Sequence, residues 1–151
     1  MENPLVAPDF TVPLGFENEH FRLTPLGPQH NEPDYDAWSS SREHIHATPG
    51  WETSSWPDDR TLEDNLRDLR RHADDFEQRV GFTYTVLEPA TGEVVGCVYI
   101  YPDRGELNDA HVQSWVRASR AQLDVALWRA VTEWLATDWP FDRVAYAARA
   151  S

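Results

Sequence analysis

The side chains in this sequence best suited to moving a proton near neutral pH are its six histidines. His111 opens the alternating run His-Val-Gln-Ser-Trp-Val-Arg and, as a neutral imidazole, could accept a proton directly or through water. Tyr99 and Tyr101 sit in the apolar run VVGCVYIY, where a tyrosine can serve as a weak acid or pack with a hydrogen-bonded tip. Cys97 lies in the same run beside Gly96 and has no activating partner nearby, so it reads as a small hydrophobe rather than a nucleophile. His44 and His46 form a His-x-His pair with Glu43 and Asp58 close in sequence. Two imidazoles and carboxylates can ligate zinc, but this spacing is not diagnostic and no metal is assigned.

Composition removes other chemistries. All thirteen basic residues are arginine, so a lysine Schiff base and a Walker-type phosphate loop are both excluded. One cysteine allows no intrachain disulfide and no Cys-rich zinc site. Twenty-six acidic residues bring the formal net charge to −13, which argues against a nucleic-acid partner and against a polybasic membrane anchor. The acidic pairs Asp34/Asp36, Asp58/Asp59 and Asp74/Asp75 read as solvated surface and agree with a cationic partner. A chain of 151 residues, 40% hydrophobic, can bury a core without staples. The N-terminus, Met1-Glu2-Asn3-Pro4, is acidic and shows no apolar leader, so a cytoplasmic protein is expected.

The elements that must position these groups follow from periodicity. Residues 1–20 read as an arm with a short edge strand at 10–12, and residues 21–151 as one domain. A strand is expected at 20–26, a helix at 31–45 and a loop at 46–60. Leu62, Leu66, Leu69, Ala73, Phe76 and Val80 step by fours and threes, which predicts a helix over 62–80. Thr61 and Asp64 form its capping box and Gly81 its stop. The pattern then changes to strands at 82–87, 94–101 and 111–117. A helix capped by Ser119 or a neighbour buries Leu123, Leu127, Val131, Trp134 and Leu135, and a last strand covers 143–147. The order is not alternating βαβ. It predicts an α/β protein of α+β type, with a mixed, mainly antiparallel sheet flanked by helices.

That order resembles the GNAT superfamily of N-acetyltransferases from about residue 21 to 146. Three passages carry the likeness: the strand pair around Phe82–Leu87 and Val94–Tyr101, the run 110–117, and the helix segment Ala126-Leu127-Trp128-Arg129-Ala130-Val131. The resemblance implies transfer of an acetyl group from acetyl-CoA to a small-molecule or peptide amine. It implies that the cofactor lies where two strands splay, its pantetheine arm paired with the backbone of Ser114, Trp115, Val116 and Arg117. The pyrophosphate would sit at the following helix start, against Arg120, Gln122, Leu123 and Asp124. His111 and Tyr101 would be the catalytic base and acid, and amides near Val116 would polarise the thioester carbonyl. Trp38, Trp51, Trp56 and Tyr99 would shape the acceptor pocket.

The sequence departs from the family pattern in two places. Residues 117–125 contain no glycine where the family's phosphate loop has two, and Asp124 would repel a phosphate, with Arg117 and Arg120 left to compensate. The chain ends at Ser151, where family members continue into a helix and a strand pair; this predicts an exposed edge at 143–147 and a homodimer. These departures support an alternative reading: a catalytically inactive GNAT-fold binding module that has lost acetyl-CoA.

Overall fold

The computed structural model describes residues 4–105 and 107–150. Met1, Glu2 and Asn3, on which the expected leaderless N-terminus rests, lie outside the described residues, as do Glu106 and Ser151. Five strands lie side by side in chain order: β1 (Arg22–Pro25), β2 (Phe82–Leu87), β3 (Val94–Tyr101), β4 (Ala110–Val116) and β5 (Val144–Tyr146). The first three pairings are antiparallel and β4–β5 is parallel. Four α-helices flank the sheet, α1 (Asn31–Ser39), α2 (Arg42–His46), α3 (Leu62–Gln78) and α4 (Asp124–Asp138). This is the mixed, mainly antiparallel α/β architecture expected from the sequence.

Alternation sorts the side chains into two layers. Tyr84, Val98, Ile100 and Val112 face α4, where they meet Leu127, Val131 and Trp134 in one buried cluster. Cys97 and Trp115 face the other way and join Trp38, Ile45, Trp51 and Leu69. Each large apolar side chain fully buried here contributes about 1.5–3 kcal/mol relative to exposure. β3 is buried on both faces, which explains its near-continuous apolar run.

Helix α3 starts as expected, with Thr61 Oγ1 accepting from the Asp64 amide and the Asp64 carboxylate accepting from the Thr61 amide, both at 3.1 Å. The middle of the expected apolar line turns inward, with Leu69 buried and Leu66, Ala73 and Phe76 half-buried, but its two ends do not. Leu62 and Val80 are exposed, while Asn65 and Leu69 are buried. His72 and Phe76, half-buried, continue that line at helical spacing. The helix closes at Arg79, in the left-handed conformation at φ 63°, rather than at Gly81. The Arg79 guanidinium donates to the carbonyls of Ala7 and Phe10, which offsets that backbone cost and ties the arm down.

Three other expectations are corrected. Residues 10–12 form no strand: Pro13 lacks a donor, and Phe10 and Phe16 instead pack on Trp139 and Trp134. The helix at 31–45 is two helices, because the hydroxyls of Ser40 and Ser41 bond back to the carbonyls of Asp36 and Ala37 and end α1. Ser119 caps nothing. Ala118–Leu123 is a 3₁₀ segment bent at Arg120 (φ −127°, ψ 30°), and α4 begins only at Asp124. Among the described residues, no helix is long and apolar enough to cross a membrane.

Candidate functional site

A cleft opens on the α1–α3 side of the sheet, with α3 on one flank and the ends of β3 and β4 on the other. Register brings its polar groups together. Tyr99 pairs with Gln113 and Tyr101 with His111, so all four project from the same face. Gly81 lets Tyr101 lie flat over the turn into β2, since a Cβ there would fall 2.0 Å from the ring. The Tyr101 hydroxyl therefore reaches Asp75 Oδ2, to which it donates at 2.8 Å. His72 Nδ1 lies 3.0 Å from the same hydroxyl and 3.1 Å from Thr83 Oγ1.

Tyr101 donates to Asp75, so the tautomer that links all three groups is the one with its proton on His72 Nδ1. That leaves His72 Nε2 as the basic atom. Burial pulls the imidazole down to about 4, so it is neutral at pH 7. Burial and the neighbouring carboxylate push the Tyr101 phenol up, which keeps it protonated. The result is a neutral base whose other nitrogen is held by a hydroxyl–carboxylate chain.

Deeper in the cleft, Asp34 is 4% exposed. Asn65 Nδ2 donates to its Oδ2 at 3.1 Å, the one hydrogen bond to this carboxylate among the described residues. Asn65 is itself fixed, accepting from Trp38 Nε1 at 3.1 Å and donating to Asn31 Oδ1 at 2.9 Å. Desolvation raises Asp34 from 3.8 to about 6.

A second feature lies at the β4–β5 junction. Their ladder stops at Val112–Tyr146, beyond which the strands part. The Arg117 amide bonds to Val95, so by alternation Ser114 directs its backbone away from β3, into the gap. The Ser114 carbonyl accepts from two side chains of the same chain, Trp51 Nε1 at 2.9 Å and Arg149 Nη2 at 2.8 Å. Arg149 Nε also holds Asp124 Oδ2 at 2.7 Å, with the arginine side chain 2% exposed. Tyr146, its phenol pushed up to about 12 by burial, contacts Ser114 Oγ at 2.5 Å. The Ser114 carbonyl in the gap is thus already bonded by side chains of the chain itself.

No family model and no curated protein sequence matches this chain. Solved structures do. The ribosomal-protein-S5-alanine acetyltransferase of Vibrio fischeri aligns with a TM-score of 0.61 at 17% identity, over 82% of this chain and 67% of its own. The microcin C7 self-immunity acetyltransferase MccE, in complex with acetyl-CoA and AMP, gives 0.59 at 13%, over 85% and 71%. The ribosomal L7/L12 alpha-N-protein acetyltransferase RimL, in complex with coenzyme A, gives 0.59 at 11%, over 84% and 69%. This chain has a divergent GNAT fold. Likeness at such identities carries the fold alone.

The β4–β5 gap, or groove, is where the sequence resemblance would place a cofactor, and the residues expected there are engaged with other groups of the chain. Arg120 pairs with Glu93 at 2.6 Å and Glu88 at 3.2 Å, which pushes its guanidinium pKa up. Arg117 pairs with Asp36 at 3.0 Å and donates to the Val94 carbonyl. Gln122 is exposed and Leu123 half-buried in the 3₁₀ segment, and Asp124 holds Arg149. Trp115 and Val116 are fully buried, and Trp115 Nε1 donates to the Tyr99 hydroxyl at 2.9 Å. Of the acceptor-pocket residues, Trp56 and Tyr99 line the cleft, Trp38 lies in the core, and Trp51 bridges cleft and groove. Tyr101 lies inside the cleft, whereas His111 is exposed on its rim.

His44 and His46 both fall in α2, two residues apart, where side chains point to different sides; among the described residues no cluster of metal-ligating groups forms. Cys97 is buried and its thiol is pushed well up by desolvation. Sequence reasoning missed His72, Asp34, Asn65 and Arg149. The available signal for two of them was Asn65-Leu69-His72-Phe76, a helical line with polar members, hidden by a more apolar line beside it.

Proposed function

We propose that this chain is a GNAT-fold binding module, one that takes a small ligand in the α1–α3 cleft and does not take up acetyl-CoA in the groove. The Ser114 carbonyl carries this reading. It is one of the backbone groups that, by the resemblance, a pantetheine amide would pair with, and Trp51 and Arg149 already satisfy it. To admit the cofactor, the chain would have to break two hydrogen bonds at the Ser114 carbonyl and disturb the Arg149–Asp124 pair beside it. The arginines nearest the expected phosphate position are already paired with carboxylates, which lowers what a phosphate would gain from them.

A second reading, acyl-CoA-dependent N-acyl transfer to an amine, is favoured by the His72–Tyr101–Asp75 chain. His72 Nε2 would take the amine proton, with His111 or a bound water at the rim, and amides near Val116 would polarise the thioester carbonyl.

Calorimetric titration with acetyl-CoA and desulfo-CoA separates the two. The binding reading expects no saturable heat from the wild type at millimolar ligand. It allows uptake by Asp124→Gly, which removes a like charge and releases Arg149. Saturable binding by the wild type overturns it in favour of acyl transfer.

A further inference from the structure

The cleft holds a buried carboxylate that no cationic side chain contacts among the described residues. Asp34 is 4% exposed, lines the cleft, and receives one neutral hydrogen bond, from Asn65. The two arginines on the same flank are committed elsewhere: Asp68 takes Arg60 and Arg71, each at 3.1 Å, and Arg60 also binds Asp58. Aromatic side chains also line the cleft. Trp56 and Tyr99 line the cleft, and Trp51 packs on both with centroids 5.4 and 5.5 Å away. His72, neutral, stands 5.7 Å from Tyr99 and completes the side toward α3.

We propose that this cleft binds a small alkylated ammonium ion, quaternary or tertiary, with Asp34 as counter-ion and the faces of Trp56 and Tyr99 as its walls. Ring faces attract a cation through their quadrupole, and a carboxylate removed from water attracts it more strongly than one at the surface. The degree of alkylation follows from counting acceptors. A primary ammonium brings three N–H donors. Asn65 Oδ1 is taken by Trp38, the Tyr99 hydroxyl by Trp115, the Tyr101 hydroxyl by its chain with Asp75 and His72, and the Asp68 oxygens by arginine. Of these groups Asp34 and the His72 Nε2 lone pair are left, so a cation with few N–H donors is the one matched to so few acceptors. A methylated cation has little or nothing to donate and presents the surface that aromatic rings accept.

This inference deepens the binding reading, since it takes the cleft and not the groove as the working site. The experiment titrates the full chain with choline and with 3,3-dimethylbutan-1-ol, the neutral analogue of equal shape, following tryptophan fluorescence and heat. Choline should bind roughly tenfold or more tightly than the alcohol. Asp34→Asn should remove that preference, and Trp56→Leu should weaken choline while leaving Asp34 in place. Equal binding of cation and alcohol, or no binding of choline at millimolar concentration by a folded wild type, overturns the proposal. An unchanged preference in both variants overturns the assignment of the site to Asp34 and Trp56. Acetyl-CoA is titrated in parallel. If it binds and choline also binds, the binding-module reading falls and the cation site stands; if neither binds, the cation site alone falls.

Discussion

Replacing Asp34 by asparagine should stabilise the folded protein at pH 7.5. Folding carries this carboxyl into a site that raises its pKa from 3.8 to about 6, with desolvation as the largest cause. Above pH 6 the ionised group therefore costs stability. One pKa unit is worth about 1.4 kcal/mol, so the cost approaches about 3 kcal/mol. The amide is neutral and keeps an oxygen for Asn65 Nδ2, so the substitution removes the cost and retains the bond. Between pH 6 and 3.8 the folded state holds a proton that the unfolded chain has released. Wild-type Asp34 therefore becomes less costly as pH falls through 6, and the advantage of the variant should vanish near pH 3.8. Urea unfolding of both proteins between pH 7.5 and 4, followed by tryptophan fluorescence, gives the difference directly. At neutral pH a gain of this size raises the melting temperature of a chain this long by roughly 2–4 °C per kcal/mol. A variant less stable than wild type at pH 7.5, or a difference that does not change with pH, would refute the reasoning.

His72 should behave in the opposite sense. Its imidazole is pulled from 6.5 to about 4 in the fold, so the unfolded chain gains a proton first and stability falls as pH drops from 6.5 toward 4. His72→Gln should flatten that limb, and in the wild type the ring resonances should stay those of neutral histidine at pH 5 by NMR. Gly81→Ala should destabilise by about 1–3 kcal/mol through overpacking, because the added methyl meets the Tyr101 ring; urea unfolding measures it.

What could be read from the sequence was whatever a local period encodes. The switch from helix to strand after α3 and the apolar run of β3 both emerge because each reflects one face, or two, turned to the core. The break between α1 and α2 did not, since Ser40 and Ser41 are ordinary helix residues until their hydroxyls turn back on Asp36 and Ala37. The cleft was legible only in part. Tyr99, Tyr101 and His111 lie in strands whose alternation puts them on one face, but His72 and Asp34 arrive from helices 38 residues apart. That both line one cleft is a product of α1 packing on α3 on one face of the sheet, which no short-range period contains. Arg149 was invisible for the same reason: its role depends on where the β4–β5 ladder ends.

The groove and the cleft also differ in a way that bears on which is used. In the groove the chain satisfies its own groups: Ser114 has Trp51 and Arg149, Asp124 has Arg149, and Arg120 has Glu88 and Glu93. A ligand there would replace bonds already made and so would gain only differences between similar terms. In the cleft no cationic side chain contacts Asp34 among the described residues, and a ligand of opposite charge would gain a full interaction while removing a desolvation cost that folding has left in place. The long-range field points the same way. A formal net charge of −13 disfavours the approach of a polyanion such as acyl-CoA and favours that of a cation, most strongly toward a low-dielectric recess ending in a carboxylate.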